Sequence, residues 1–159
     1  MKLAETHKIV PMGQALDMSA ATVVTESVNC KNLHHATIIF SFDALGTDHC
    51  LLTVHSGTSD ASLDSTLTFR YAFGGGAILA ANSDVLAATA TSASLDVDET
   101  AYTDHMLVVD LDMSEMDIAN GESWLTCKFT DSGSATGLVS VIGIFETRYG
   151  SNRSATVTA

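Results

Sequence analysis

The chain has 159 residues, 46% hydrophobic and 16% charged, a composition typical of one globular domain and not of a disordered chain. Its formal net charge of −12 excludes a role on nucleic acid or on an anionic membrane, because both attract positive charge. The acidity serves solubility or steers the chain toward a basic partner surface, and the composition leaves both alternatives open. The low charged fraction leaves a surface rich in small polar residues, which suits lasting contact with other proteins.

Three cysteines, Cys30, Cys50 and Cys127, are odd in number and widely spaced, so they do not predict a disulfide framework. Synthesis in a reducing cytosol fits them best. The residues from Met1 to Lys8 contain no apolar region of a signal peptide, and no apolar run approaches the length of a membrane span. We therefore expect neither secretion nor membrane insertion.

The N-terminal segment Met1–Gly13 is predicted to be an arm that contacts a neighbouring subunit or a partner protein. It holds more apolar surface than an idle terminus needs, and its two lysines, Lys2 and Lys8, could pair with acidic groups. Pro11 lacks a backbone donor and suits an edge. The alternative is that Lys8–Met12 adds an edge strand to the chain's own sheet. The predicted contact residues are Leu3, Lys8, Ile9, Val10, Pro11 and Met12.

Residues 14–149 are predicted to form the folded domain, because apolar and polar residues alternate at period two along most of this part of the chain. The clearest strand is Thr66–Phe73. Other strands are predicted at Thr37–Phe42, His49–Ser56, Met106–Asp112, Trp124–Thr130 and Leu138–Tyr149, and weaker ones at Lys8–Met12, Asp17–Glu26 and Ser94–Asp98. In the long apolar Leu138–Tyr149 strand, Gly143 indicates a bulge or a close backbone approach.

Helix is scarce, and at most one short helix is expected. Ser114–Asp117 resembles a helix start, with a serine cap and an acidic third residue, and Gly121 ends it. Leu79–Ala93 is rich in alanine and is either helical or a long surface loop, opened by the flexible Gly74–Gly76. Residues 150–159 are small and polar, and they are predicted to form a flexible tail.

Strands that bury one face each need a second sheet to cover that face. The predicted fold class is therefore all-β, a two-sheet antiparallel sandwich of jelly-roll-like type. Its predicted core consists of Phe40, Phe42, Leu52, Val54, Phe69, Tyr71, Leu107, Val109, Leu125 and Phe129.

One sequence motif resembles an enzyme. Asp131-Ser132-Gly133 matches the turn that holds the catalytic aspartate of aspartic proteases, and Val141-Ile142-Gly143 matches a second element of that fold. Too few residues separate the two to supply the intervening strands, so a hairpin turn is the better interpretation. No pair of titratable residues stands out as an acid and base couple. We expect no catalytic residue and no enzymatic activity.

Histidines, cysteines and carboxylates are the candidate metal ligands of the chain. Zinc would need tight ligand pairs that the sequence lacks, and the alternation directs Cys50 inward but His49 and His55 outward. The candidate zinc ligands are Cys30, His34, His35, His49, Cys50 and His55. The carboxylates form two acidic clusters. The first consists of Asp96, Asp98, Glu99 and Asp104, and the second consists of Asp110, Asp112, Glu115 and Asp117. Calcium held across the acidic loops is the alternative to a solvated acidic face. We expect neither a metal nor a cofactor.

In the order of its features the chain resembles the small decoration, or cement, proteins of tailed-phage capsids. The matching features are the arm Met1–Gly13, Ala21–Val24, Asn29–Lys31, Ala36–Ile39, a midsection rich in Gly, Ser and Ala, Met106–Asp112, the turn Met116–Gly121, Trp124–Thr130 and a final apolar strand. This resemblance implies a homotrimer, made in the host cytoplasm, that binds the major capsid protein on the exterior of the virion and stabilises the shell. The alternatives are a tail, baseplate or fibre component, or a small sugar- or metal-binding jelly roll.

Overall fold

The computed structural model describes residues 3–46, 48–131 and 134–148. Twelve strands in these residues form two antiparallel sheets that pack face to face, which confirms the predicted all-β sandwich. The strands are β1 (His7–Asp17), β2 (Thr22–Val24), β3 (Val28–Asn29), β4 (Leu33–Phe42), β5 (Cys50–Gly57), β6 (Ser65–Leu67), β7 (Phe69–Phe73), β8 (Ala90–Ser92), β9 (Ser94–Val97), β10 (Met106–Asp112), β11 (Trp124–Asp131) and β12 (Leu138–Thr147).

The first sheet has the order β1-β12-β4-β10-β7-β8. The second has the order β2-β11-β5-β6, with β3 also paired to β11 and β9 also paired to β5. The pairs β4–β12, β5–β11 and β7–β10 are nested in the sequence, one inside the next. A long hairpin folded over itself gives this pattern, and it places the outer and inner pairs in the first sheet and the middle pair in the second.

The core lies between the sheets and is built from the inward residues of alternating strands. Phe129 of β11 meets Phe40 and Phe42 of β4 edge to face, with ring centroids 5.8 and 6.3 Å apart, a geometry that aromatic rings favour. Every predicted core residue is buried except Tyr71, which is half-buried and packs against Phe69 and Phe73. Burial of each such side chain contributes roughly 1.5–3 kcal/mol.

The predicted strand Thr66–Phe73 is two strands. β6 ends at Leu67 in the second sheet, and β7 begins at Phe69 in the first sheet, so the chain crosses from one sheet to the other at Thr68. Leu67 and Phe69 are both buried. The alternation survives the crossing because both sheets present their inward residues to the same core.

The helical segments are single turns, and there are more of them than the one predicted. They are α1 (Leu3–Thr6), α2 (Glu99–Tyr102) and two 3-10 turns, Met113–Glu115 and Ile118–Asn120. The 3-10 turns occupy the predicted helix start, and Gly121 ends the second in the left-handed conformation with φ of 87°. Of the two alternatives for Leu79–Ala93, the structure has the loop, followed by the short strand β8.

The segment predicted to be an arm forms a strand. β1 runs across the proposed boundary at Gly13 and pairs with β12 from His7 to Asp17, so the edge-strand alternative for Lys8–Met12 is the one that the structure has. Gly143 of β12 marks a close approach, because a Cβ there would lie 2.9 Å from the Sδ atom of Met12 and would also meet the ring of Phe145. The predicted tail, residues 150–159, lies outside the described residues.

Candidate functional site

The outer face of the first sheet carries a row of apolar residues that crosses five strands. Ile39 of β4 stands between Ile38 and Phe40, which are fully buried, so its side chain points away from the core. The same alternation places its cross-strand neighbours on the outer face. In register order the row is Pro11, Ile142, Ile39, Val108 and Ala72, of which Ala72, at the β7 end, is buried.

A second row lies two residues further along each strand and changes character from one end to the other. It begins with Ile9 of β1 and Ile144 of β12, and it ends with Asp110 of β10 and Arg70 of β7. Thr37 of β4 stands between these halves, and its hydroxyl donates to Asp110 Oδ1 at 2.7 Å. The apolar row and the two isoleucines form one continuous surface, here called the apolar face: Ile9, Pro11, Ile39, Val108, Ile142 and Ile144.

The third row is polar and completes an acidic margin beside the apolar face. Glu146, His35 and Asp112 are cross-strand neighbours in it. Asp112 accepts from the backbone N–H of Ser114 at 2.8 Å, and hydrogen bonds from Ser114 lower the pKa of the Asp112 carboxyl below its ordinary value. The acidic margin comprises the four carboxylates Asp110, Asp112, Glu115 and Glu146 together with the one guanidinium of Arg70.

Part of the acidic margin lines a concave pocket. The residues around this pocket are His35, Arg70, Thr89, Asp110, Asp112, Ser114 and Glu115. The walls therefore offer three carboxylates and two hydroxyls as hydrogen-bond acceptors, against one guanidinium. A pocket of this composition favours a cationic side chain over an anionic one.

The second sheet provides an internal comparison, because its outer face is mostly polar. Its central outward residues are Thr53, His55, Thr66, Lys128 and Thr130, with the exposed apolar residues Leu51 and Val24 beside them. Antiparallel sheets of this kind normally direct polar residues to water. The apolar face of the first sheet is thus not a general property of this fold.

The six predicted contact residues are divided by the structure. Ile9, 51% exposed, and Pro11 belong to the apolar face. Val10 and Met12 are buried in the chain's own core, so the prediction that they contact another chain does not hold while β1 stays in the sheet. Leu3 is exposed in α1. Lys8 is half-buried, and burial lowers its pKa.

The sequence prediction missed most of the apolar face. Ile39, Val108, Ile142 and Ile144 were outward residues of strands that had been identified correctly. The sequence feature that marked them was isoleucine or valine at outward positions, where the alternation would otherwise place a polar residue. A continuous apolar run is also typical of a strand buried on both faces, so the signal alone did not separate the two cases.

Among the residues that the structure describes, one group of side chains could hold a metal ion. Ligand atoms of His49, Asp98 and Glu99 lie within 4.8 Å of one another. His49 Nδ1 is 3.7 Å from Asp96 Oδ2, 3.8 Å from Asp98 Oδ2 and 3.9 Å from Glu99 Oε2. The Thr100 backbone N–H and hydroxyl both donate to the other Asp98 oxygen, which fixes this carboxylate at the start of α2. Three of the four residues of the first acidic cluster, Asp96, Asp98 and Glu99, thus lie around His49.

The three cysteines are buried, and their thiols are held in the protonated form. Cys30, Cys50 and Cys127 are buried free thiols, and burial raises the pKa of Cys50 to about 11 and that of Cys127 to about 12. Burial also raises the pKa of Cys30. A metal prefers the deprotonated thiolate, so these groups act as small core residues at neutral pH.

The two protease-like elements lie in different sheets. Asp131 ends β11 in the second sheet, and Val141-Ile142-Gly143 lies within β12 in the first. Asp131 Oδ1 accepts from the backbone N–H of Ala135 at 2.9 Å, as in a turn. Ser132 and Gly133 lie outside the described residues.

Comparison with known proteins gives little sequence similarity. No family model matches the chain, and no curated protein matches it. Among solved structures, the SPBc2 prophage-derived protein YomS is similar at a TM-score of 0.45 and 12% sequence identity, over 87% of this chain and 91% of that chain. In the part of the chain that the structure describes, no helix is long and apolar enough to cross a membrane.

Proposed function

We propose that this chain is a structural virion protein that decorates and stabilises the exterior of a tailed-phage capsid by binding the major capsid protein through the apolar face. The observation that supports the proposal most directly is the apolar face itself. Ile9 is 51% and Ile142 46% exposed, and both lie on one surface with Pro11. Contiguous apolar surface of this kind marks a protein contact more often than it marks a solvated face.

Burial of the apolar face against a partner would stabilise the complex. Burial of apolar surface contributes roughly 25 cal/mol per Å² removed from water, and the rigid sheet loses little conformational freedom on binding. The low charged fraction, 16%, reduces the number of charges that an interface must desolvate. These features suit a protein that coats a shell, as does the resemblance to decoration proteins.

The proposal is tested with phage heads produced without this chain, to which purified protein is added back. Ile9→Ser combined with Ile142→Ser should weaken binding at least tenfold, a loss of about 1.4 kcal/mol. Val24→Ser is the matched control, because Val24 is exposed to a similar degree, 42%, on the outer face of the second sheet. It should bind as the wild type does.

Two results would contradict the proposal. Binding of the wild-type chain to purified tails and not to heads would favour the tail, baseplate or fibre alternative. Equal binding of heads by the double variant and the wild type, with both folded by circular dichroism, would exclude the apolar face as the contact.

A further inference from the structure

We infer that the surface that docks on the apolar face carries lysine or arginine side chains beside its own apolar residues, and that it is a basic partner surface and not a second copy of this chain. The inference rests on the proposed function for the identity of the partner, the major capsid protein. It rests on the charges around the apolar face for the partner's chemistry.

The nearest carboxylates lie on one side of the apolar face. Asp110 is two residues from Val108 along β10, a separation of about 6.7 Å in a strand. Two residues from Ile39 on β4 in the opposite direction is Ser41, whose cross-strand neighbours are Ser140 and Met106. The row next to the apolar face is therefore charged on one side, at Asp110, and uncharged on the other, where the first carboxylate, Asp43, lies one row further away and lines a pocket with Ser41 and Ser140. This difference in the distance to the nearest carboxylate gives a docked basic partner a preferred orientation.

Two of the four carboxylates of the acidic margin, Asp110 and Asp112, are held in place before any partner arrives. The Thr37 hydroxyl fixes Asp110 at 2.7 Å, and the backbone of the following 3-10 turn fixes Asp112 at 2.8 Å. Each of these residues keeps a second carboxylate oxygen that is not used in those bonds. Acceptors that are already ordered bind a cationic donor without a further loss of side-chain entropy, and charge-assisted hydrogen bonds are the stronger kind.

The pocket within the acidic margin has room for a side chain of the partner. It is open, and Ser114 and Thr89 add neutral acceptors to the carboxylates. A lysine or arginine of the partner that lies beside an apolar residue packed on Val108 would reach this pocket. The apolar stem of such a side chain can lie along the apolar face while its charged group extends several Å further. Arg70 already contributes one positive charge there, which leaves a net charge of −3 from four carboxylates and one guanidinium over the whole margin.

The same charges disfavour a second copy as the occupant. A two-fold pairing of this face would bring the same patch of each chain together, and each chain has a formal net charge of −12. Like charges across an interface cost free energy and suppress the wrong partner. A basic partner turns the same charges into attraction, and it accelerates encounter at low salt.

The first test measures the salt dependence of binding to heads that lack the chain. Asp110→Asn combined with Asp112→Asn removes two charges and keeps the acceptors for Thr37 and Ser114. This double variant should bind at least tenfold more weakly at low salt and lose affinity less steeply as salt rises. Ile142→Ser should bind more weakly with an unchanged salt dependence. Asp60→Asn, an exposed acid in the loop after β5, is the charge control and should behave as the wild type.

The second test does not depend on heads. A soluble peptide of alternating lysine and isoleucine is titrated into the labelled protein, and its counterpart with glutamate in place of lysine serves as the control. The lysine peptide should shift the backbone resonances of Ile39, Val108 and Asp110, and the glutamate peptide should not. Equal shifts with both peptides would overturn the inference.

The outcomes separate the inference from the proposed function. Failure of the wild type to bind heads, with the lysine peptide still selected at the apolar face, overturns the capsid assignment and supports a basic partner. Binding of heads with no effect of the double asparagine variant overturns the inference alone. A concentration-dependent dimer that Ile142→Ser abolishes would identify a second copy as the occupant, which also overturns it.

Discussion

Phe69 is a core aromatic residue whose contribution to the free energy of unfolding can be predicted. Its side chain is 1% exposed, and it stands at the first residue of β7, just after the chain crosses between sheets. Phe69→Ala should lower the free energy of unfolding by about 3–5 kcal/mol, because it removes a buried ring and leaves a cavity. Urea denaturation measures the change. Ile142→Ala, on the exposed face of the same sheet, is the control and should cost about 1 kcal/mol or less; a similar cost for both would contradict the core assignment.

His55 links stability to pH. Burial, together with the nearby charge of Lys128, lowers its pKa below the ordinary value of 6.5. The unfolded chain therefore takes up a proton first as the pH falls below 6.5, and the folded chain takes it up only at lower pH. In that window the free energy of unfolding decreases as pH falls, and it is fully retained above pH 6.5.

His55→Gln should reduce this dependence. Glutamine can still hydrogen-bond to Thr53, whose hydroxyl lies 2.9 Å from His55 Nε2, but it does not titrate. The loss of stability between pH 7 and pH 5.5, measured by urea denaturation, should be smaller in the variant than in the wild type. Carboxylates titrate in both proteins, so the difference between them isolates His55; equal losses would show that this histidine does not contribute.

Individual residues of the core were predictable, and most of those of the candidate site were not. Inward residues such as Leu52 and Val109 follow from the alternation alone, because every strand buries one phase. Whether an outward isoleucine such as Ile39 meets water, a helix or another chain depends on what covers the sheet. The covering of the sheet depends on elements far away in the sequence, so it cannot be predicted from the residues of a single strand.

At the scale of the strand, β1 combines the two roles that the sequence offered as alternatives. Val10 and Met12 complete the core from the edge of the first sheet, and Ile9 and Pro11 extend the apolar face. Deletion of Met1–Gly13 should therefore reduce stability by several kcal/mol, because it removes two core side chains and much of the pairing with β12.

The deletion separates these roles when it is compared with point variants. Thermal unfolding should show a large loss for the deletion and a small one for Ile9→Ser combined with Pro11→Ser, which leaves the inward residues intact. A deletion variant as stable as the wild type would show that the fold does not need these residues, as expected of an arm that contacts another chain.

The pairing of β1 with β12 also depends on Gly143. A Cβ there would meet the ring of Phe145 and the Sδ atom of Met12, and both side chains are fully buried. Gly143→Ala should cost about 1–3 kcal/mol, as for other insertions into a packed core. Met12→Ala in the same chain should relieve part of that cost, and a double-mutant cycle by urea denaturation measures it. Additive costs would show that the two residues do not interact.

Most strands could be predicted from the sequence, but their assignment to sheets could not. Thr66–Phe73 has one unbroken alternation, yet Thr68 divides it between the two sheets. The alternation of apolar and polar residues predicts which residues face the core. Because both sheets share that core, the alternation does not predict to which sheet a strand belongs. The α-helical turn α2 was missed for a related reason: it is four residues long, too short to show a helical period, and only its capping residue Asp98 gives a local signal.

For the whole molecule, an apolar face that binds a basic partner leaves self-association to another surface. Residues 74–89 form a loop with four exposed large apolar side chains, Ile78, Leu79, Val85 and Leu86. Leu79 is 96% exposed and has a φ of 72°, a left-handed conformation that costs free energy for a residue with a side chain. An exposed apolar residue held in such a conformation suggests a contact, and we assign this loop to the predicted homotrimer.

Light scattering at micromolar concentration should therefore give three times the chain mass of 16.7 kDa. Leu79→Gly removes the apolar side chain and also removes the strain of the left-handed backbone conformation, because glycine adopts positive φ readily. It should weaken the trimer without lowering the stability of the fold. Ala61→Gly, at an exposed residue with a φ of 60°, relieves the backbone equally but changes no large apolar group, so it should leave the trimer intact. A wild-type monomer would contradict the predicted trimer in solution, and a Leu79→Gly trimer of unchanged affinity would show that this side chain lies outside the subunit contact.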